Sequence, residues 1–533
     1  MEEQLRKFLN AHFATVIPLT KKLYLIHWEY DTTGDEKLAQ PKKELEEQYV
    51  KIYLDQEKFS QLQAFEASGK IKDPLLVRQL QILLTIFRLH LGDKDHLERM
   101  VELDTEISSI YNHFRGTIDG KPHNNNQIKE ILQLSSDNLL RRKAWEASKQ
   151  IGTEVAEKVL ELVRLRNKSA QKSGYSDYYV MSLTCKELDE KKMFATLDRL
   201  AQLTEQPFRE AKEKMDNQLR KKLKIKKGNL RPWHYADPFF QEVPPGASDL
   251  NKFFADKDIE GLTRKTYESI GMTVDDILQR SSLYPKEGKC QHAYCTMIDR
   301  DGKDIRVLAN ISKTEYWTGT MLHEFGHAVY DKYLGDSLPH LLKTPAHTLS
   351  TEAIAMMMDA LSKNKAWLTE MVGVARPEID AIHGELMEQE RLGHMIFARW
   401  GLVMVHFERE MYRNPDQDLN TLWWDYVEKY QLVQRPQGRN APDWAAKIHL
   451  AHSPVYYQNY LYGQMVASQL AHYIGKNIGN GKLFNNPPLG PYLIDKYFKS
   501  GSQFDWSRTL EIATAESLNP DYYMRETLGV PIP

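Results

Sequence analysis

Two histidines four residues apart, in the string His323-Glu324-Phe325-Gly326-His327, require a helix in the middle of this chain if they are to act together. On a helix, side chains at i and i+4 share a face, so both rings can aim a nitrogen at one point while Glu324 stands beside them. The flanking sequence supports that helix. Ser312-Lys313-Thr314-Glu315 reads as a capping box, apolar residues recur at Trp317, Met321, Leu322, Phe325 and Val329, and Gly335 follows Leu334 where the helix should stop.

A second helical segment, opening at Thr344-Pro345 and running through Thr351 to Leu361, carries Glu352 among apolar neighbours. An acid in that company is explained if it is a third ligand beside His323 and His327. Two imidazoles and one carboxylate leave a tetrahedral zinc ion one open position, which separates a catalytic site from a closed structural one. Zinc is the default cofactor for this donor set, although cobalt and manganese share such ligands. A water activated there, with Glu324 taking its proton, is a reagent for hydrolysing a carbonyl compound, most obviously a peptide bond. Asp359, two turns after Glu352 on the same face, is placed to accept a histidine N–H and fix that ring's tautomer.

Two further stretches carry chemistry. His292–Ile298 and Ile305–Ile311 flank Asp299-Arg300-Asp301-Gly302 and predict a β-hairpin. Tyrosines crowd the later segment Lys447-Ile448-His449-Leu450-Ala451-His452-Ser453-Pro454-Val455-Tyr456-Tyr457-Gln458-Asn459-Tyr460. A phenol or imidazole aimed at the oxygen of a tetrahedral intermediate strengthens its hydrogen bond as charge develops. Tyr460 is the first candidate for that donor and His449 the second. His452 competes for the imidazole role, and the sequence does not choose between the two histidines.

These motifs together resemble the gluzincin peptidases, and within them the helical group containing angiotensin-converting enzyme and the thimet and neurolysin oligopeptidases. The resemblance also rests on Trp28-Glu29-Tyr30-Asp31-Thr32-Thr33-Gly34, Leu140-Arg141-Arg142-Lys143-Ala144-Trp145-Glu146, Trp423-Trp424, Lys429-Tyr430-Gln431 and Ala446-Lys447-Ile448-His449. It implies a mainly α fold, two helical lobes around a deep substrate cleft, with a small β-hairpin beside the zinc helix. It further implies that main chain near Ala293 holds an extended peptide and that Lys447 and Tyr457 bind a substrate's C-terminal carboxylate. One residue more separates Lys447 from Tyr457 than in the angiotensin-converting enzyme pattern. Asn459 stands where that pattern has a chloride-binding arginine, so chloride activation of that kind is not expected. Met356 occupies the place of a gluzincin acid, for which Asp359 is the substitute.

Apolar residues spaced by three and four, with few alternating runs, agree with a mainly helical chain. Its 533 residues form one helical metallopeptidase unit, expected to divide into an N-terminal helical lobe, 1–280, and a catalytic portion, 281–533. Lys42 to Leu62 and Leu139 to Lys172 read as helices, and Lys221 to Pro245, continuing into Gly246, as the chief linker. The basic run Lys221–Lys227 suggests a solvated helix end, because the net charge is only −2, and no nucleic-acid partner follows. Cys185, Cys290 and Cys295 make no disulfide framework; Cys290 and Cys295 can pair only in an oxidising setting. Met1–Leu9 lacks a long apolar stretch and no segment reaches membrane-spanning length, so a cytoplasmic protein without membrane association is expected, its cysteines free. Oligopeptides are the expected substrates and partners; oligomeric state is unspecified. The leading expectation is a peptidyl-dipeptidase releasing dipeptides from the C-terminus. Internal cleavage by an oligoendopeptidase is the alternative, and a silent zinc-stabilised peptide-binding protein ranks lower because binding does not need Glu324. A zinc aminopeptidase would want a glycine-rich exopeptidase motif and an acidic anchor for the N-terminus, and the sequence shows neither.

Overall fold

Helices dominate the computed structural model, which describes residues 1–90, 94–244 and 249–530. Among the described residues the strands form two antiparallel pairs, Gly116–Ile118 with Lys121–His123 and Tyr294–Asp299 with Asp304–Leu308. The second pair is the expected hairpin; the first was not foreseen. No helix among the described residues is long and apolar enough to cross a membrane. Cys185, Cys290 and Cys295 are all free thiols.

The chain forms two compact units assembled from separated segments rather than from the stretches either side of residue 280. One comprises Met1–Leu91, Ser248–Gly384 and Tyr462–Tyr522; the other comprises Gly92–Ala247, Glu385–Leu461 and Tyr523–Pro533. The physical reason is visible at the N-terminus. Leu5 and Leu9 of the Glu2–Thr33 helix share a buried apolar cluster with Leu83, Leu84, Phe87 and Leu341. Trp28, near the far end of that helix, packs with Ile298 and Leu308 of the hairpin.

The residues after Trp28 anchor the same contact. Asp31 accepts the Tyr294 hydroxyl at 2.8 Å, and its carbonyl accepts the Cys290 amide at 2.8 Å. Gly34 ends the helix with φ at 65°, and a Cβ there would come within 2.3 Å of the Gly288 carbonyl oxygen. Only glycine fits that close, left-handed position. The Trp28–Gly34 motif is therefore a clasp on the hairpin.

Several boundaries shift from the sequence reading. The span Lys42 to Leu62 breaks into helices Ala39–Tyr53 and Gln56–Ala67, the second capped by Asp55, whose side chain accepts from the Lys58 amide. Asn138–Lys172 is continuous, as expected. The basic run divides: Glu190–Leu223 is helical with Arg220, Lys221 and Lys222 in its last turn, where cations oppose the helix dipole. Pro245 and Gly246 of the predicted linker lie outside the described residues.

Candidate metal centre

The helix Glu315–Lys332 carries His323, Glu324 and His327. Thr314, rather than Ser312, is its cap, the side chain accepting the Trp317 amide at 3.2 Å. It ends at Lys332, so Gly335 lies beyond its cap and instead donates its amide to the Lys499 carbonyl. Met321, Leu322, Phe325 and Val329 are buried, and the Tyr267 hydroxyl donates to the Leu322 carbonyl at 2.6 Å. Glu352 sits on Thr348–Asp359, which starts later than Thr344-Pro345 suggested because His347 is the cap, its ring accepting from the Leu349 amide. The two helices meet at Gly326, where a Cβ would lie 2.8 Å from the Ala355 Cα. The glycine inside the histidine motif is thus what lets the two backbones approach closely. Gly463 gives Glu352 similar room; a Cβ there would stand 3.4 Å from the Glu352 Cβ.

Each histidine has its Nδ1 occupied. His323 Nδ1 lies 2.9 Å from Asp359 Oδ2, and His327 Nδ1 lies 2.7 Å from Thr351 Oγ1. That leaves both Nε2 atoms for a metal. They stand 3.6 and 3.9 Å from Glu352 Oε2. Donors bonded to a tetrahedral zinc ion at its usual bond lengths lie about 3.3–3.5 Å apart. The three ligand atoms therefore fit zinc after movements of a few tenths of an ångström, and they form a possible metal-binding group among the described residues.

The local charge favours a cation. Burial works against a charge on His323, but the hydrogen bond and charge of Asp359, with Glu324 and Glu352, outweigh it and raise its pKa to about 9. Burial, reinforced by the His323 charge, pushes His327 down to about 3. Burial also lifts Glu324 to about 7, opposed by His323 and by the Cys295 amide that its carboxylate accepts. Three acids around two imidazoles in so small a volume make a site that favours a dication, which would take the place of the proton on His323 Nε2.

The Cys295 amide comes from the hairpin. Tyr294 pairs with Leu308, Cys295 with Val307 and Thr296 with Arg306. The Val307 amide goes to Ser281 Oγ at 2.8 Å and its carbonyl accepts the Ser282 amide at 3.0 Å, so both point away from the partner strand. Cys295 opposite is then a non-hydrogen-bonded pair, and its own N–H and C=O face the outer edge. Ala293, two residues earlier, continues that alternation just before the strand.

The later cluster lies in the other unit. Lys447 is buried, donates to Gln241 Oε1 at 2.8 Å, and has its ammonium 5.3–5.7 Å from the ring centres of Phe239, Trp400 and Tyr457. Burial, against the charges of Asp237 and Glu242, lowers its pKa to about 8. The Tyr457 hydroxyl accepts from Trp400 Nε1 at 3.1 Å, and its ring lies 5.1 Å from His449 and 5.5 Å from Tyr460. Burial, then the Lys447 charge, lowers His449 to about 4, and its Nδ1 has no hydrogen-bond partner among the described residues. His452 faces elsewhere, 3.0 Å from Asp104 Oδ1 and 3.2 Å from Ser108 Oγ. The structure thus places His449, and not His452, beside Tyr457.

Val455, between these histidines and the tyrosines, has φ at 53°. A β-branched residue in that left-handed region carries strain on the order of 1–3 kcal/mol.

His323, His327, Glu352 and Asp359, singled out from the sequence, lie together in the structure, while Thr351, the Cys295 amide, Gln241 and Trp400 were missed. Thr351 was legible in principle, being adjacent to Glu352; the others come from distant segments. Residues 1–228 match the family described as angiotensin-converting enzyme, Peptidase_M2, and residues 278–527 match peptidase family M3. No curated protein matches the chain.

Proposed function

We propose that this chain, a metallopeptidase of the angiotensin-converting enzyme and M3 type, hydrolyses oligopeptides with zinc held by His323, His327 and Glu352 and releases dipeptides from their C-termini. The observation that carries the reading is the pair of Nε2 atoms facing Glu352 while Asp359 and Thr351 occupy the Nδ1 atoms.

Bound there, zinc supplies Lewis acidity that makes a water acidic near neutral pH and polarises the scissile carbonyl. Glu324 is the general base that takes the water's proton and later returns it to the leaving amine. The Cys295 amide orients the Glu324 carboxylate for that transfer. The outer edge of the hairpin, with the Ala293 main chain and the Cys295 carbonyl, holds an extended peptide by backbone hydrogen bonds, which reads peptide without demanding particular side chains. Tyr460 donates to the oxygen that gains charge in the transition state, and His449, neutral at physiological pH, is the second donor.

Lys447, Gln241 and Tyr457 form the end-recognising group. A buried ammonium among aromatic rings that gives one hydrogen bond to an amide oxygen keeps donors for a substrate carboxylate, beyond the more distant charges of Asp237 and Glu242. That is the support for removal of C-terminal dipeptides. Internal cleavage is the second reading, supported by the M3 match, which spans both the metal residues and the tyrosines.

The test is mass spectrometry of a roughly ten-residue peptide with a free or amidated C-terminus, incubated with zinc-loaded protein. Successive loss of dipeptides from the free acid alone fits the proposal. Internal cuts in both peptides would replace it with the oligoendopeptidase.

A further inference from the structure

We infer that Glu408 is a positioning residue for the tyrosines: by accepting the amide of the left-handed Val455, it sets the first turn of the helix Tyr457–Asn477 and so the placement of the Tyr457 and Tyr460 phenols. This rests on the roles proposed above for those two tyrosines.

Val455 is wholly buried, β-branched and left-handed, a combination that persists only when its surroundings impose it. The restraints are specific. Its amide donates to Glu408 Oε1 at 2.8 Å; its carbonyl accepts from Lys186 Nζ at 2.9 Å and from Gln458 Nε2 at 2.7 Å. Both of its main-chain polar groups are thus held by side chains rather than by regular secondary structure.

Glu408 is 2% exposed, and a carboxylate so deep is costly unless it has compensating partners. Lys186 and Arg166 supply opposite charge, and Arg166 Nη2 also donates to the Ala451 carbonyl at 2.8 Å. A valine in ordinary conformation would need none of this. Only Tyr456 separates Val455 from Tyr457, so a change in the torsion angles of Val455 would re-aim the helix start.

The experiment compares Glu408→Leu, which removes the acceptor, with Glu408→Gln, which keeps an acceptor oxygen, each in the Tyr460 and Tyr460→Phe backgrounds of the full zinc-loaded chain. Kinetics are measured on the free-acid peptide, with zinc stoichiometry alongside. The expected result is a fall in kcat of about tenfold or more for Glu408→Leu, Glu408→Gln within about threefold of wild type, unchanged zinc content, and a loss from Glu408→Leu that shrinks to below about threefold when Tyr460 is already phenylalanine. Damage from Glu408→Gln equal to that from Glu408→Leu overturns the inference. So does a Glu408→Leu loss that keeps its full size in a slowed Tyr460→Phe chain. A Tyr460→Phe chain as fast as wild type overturns the catalytic reading beneath it. Should Glu408→Leu not fold, Lys186→Met loosens the other side of Val455, and the same background dependence is expected; equal losses in both backgrounds overturn it.

Discussion

His327 Nδ1 lies 2.7 Å from Thr351 Oγ1, and Thr351 immediately precedes Glu352. One helical turn therefore supplies a proposed metal ligand and the group that orients another. Any movement of that turn acts on two of the three proposed donors together.

Thr351→Val keeps the shape of the side chain but removes the hydroxyl, leaving the His327 ring free to rotate. Zinc affinity should fall by about 10–100-fold, with Thr351→Ser close to wild type. Competition against a chelator of known affinity measures it, and circular dichroism checks that the fold is kept.

Gly326→Ala places a methyl group where the Ala355 backbone already stands. The helices must part or the side chain must strain, at a cost of about 1–3 kcal/mol. The variant should melt at a lower temperature and bind zinc more weakly, because Glu352 is carried on the displaced helix. Thermal unfolding of metal-free and zinc-loaded protein separates the two effects.

Lys447→Met should raise KM for a free-acid peptide by about tenfold or more while changing the amidated peptide little. Gln241→Leu should shift the same ratio less, since the ammonium remains. Steady-state kinetics on the peptide pair provides the check.

The candidate metal centre was legible because its parts are local and periodic. The i, i+4 histidines fix a helical face, and seven residues from Glu352 to Asp359 keep one face of a second helix. Thr351 needed only the next residue inward. Gln241 was not legible: it lies 206 positions from Lys447, in irregular chain whose path no spacing rule gives. The hairpin was visible from its alternation and its Asp299–Gly302 turn, but its orientation toward Glu324 depends on Ser281 and Ser282 engaging Val307 from the other side. The mainly helical class followed from apolar spacing. The division at residue 280 did not anticipate the two units because the pairing of the Trp28 segment with the hairpin is a long-range contact.

His12 predicts an acid limit to stability. Both its ring nitrogens are buried without a hydrogen-bond partner among the described residues, and the rings of Phe13 and Tyr53 lie 5.2 and 5.6 Å away. Burial, then the Lys58 charge, lowers its pKa from 6.5 to about 4. Above pH 6.5 the ring is neutral in folded and unfolded chains alike, and its packing contributes fully. As pH falls from 6.5 toward 4 the unfolded chain takes a proton that the folded chain refuses, so stability declines, by about 3 kcal/mol at the limit. Urea midpoints across that range should fall more steeply for wild type than for His12→Phe.

Glu324 is proposed as the base beside a zinc ion held by His323, His327 and Glu352. The most direct test is the kcat of Glu324→Gln on a peptide cleaved by wild type, measured on protein whose zinc content is determined in the same sample. The expected result is one zinc per chain, as in wild type, with kcat lower by about a thousandfold or more. A zinc-loaded Glu324→Gln chain that cleaves the peptide at a rate near wild type would contradict it.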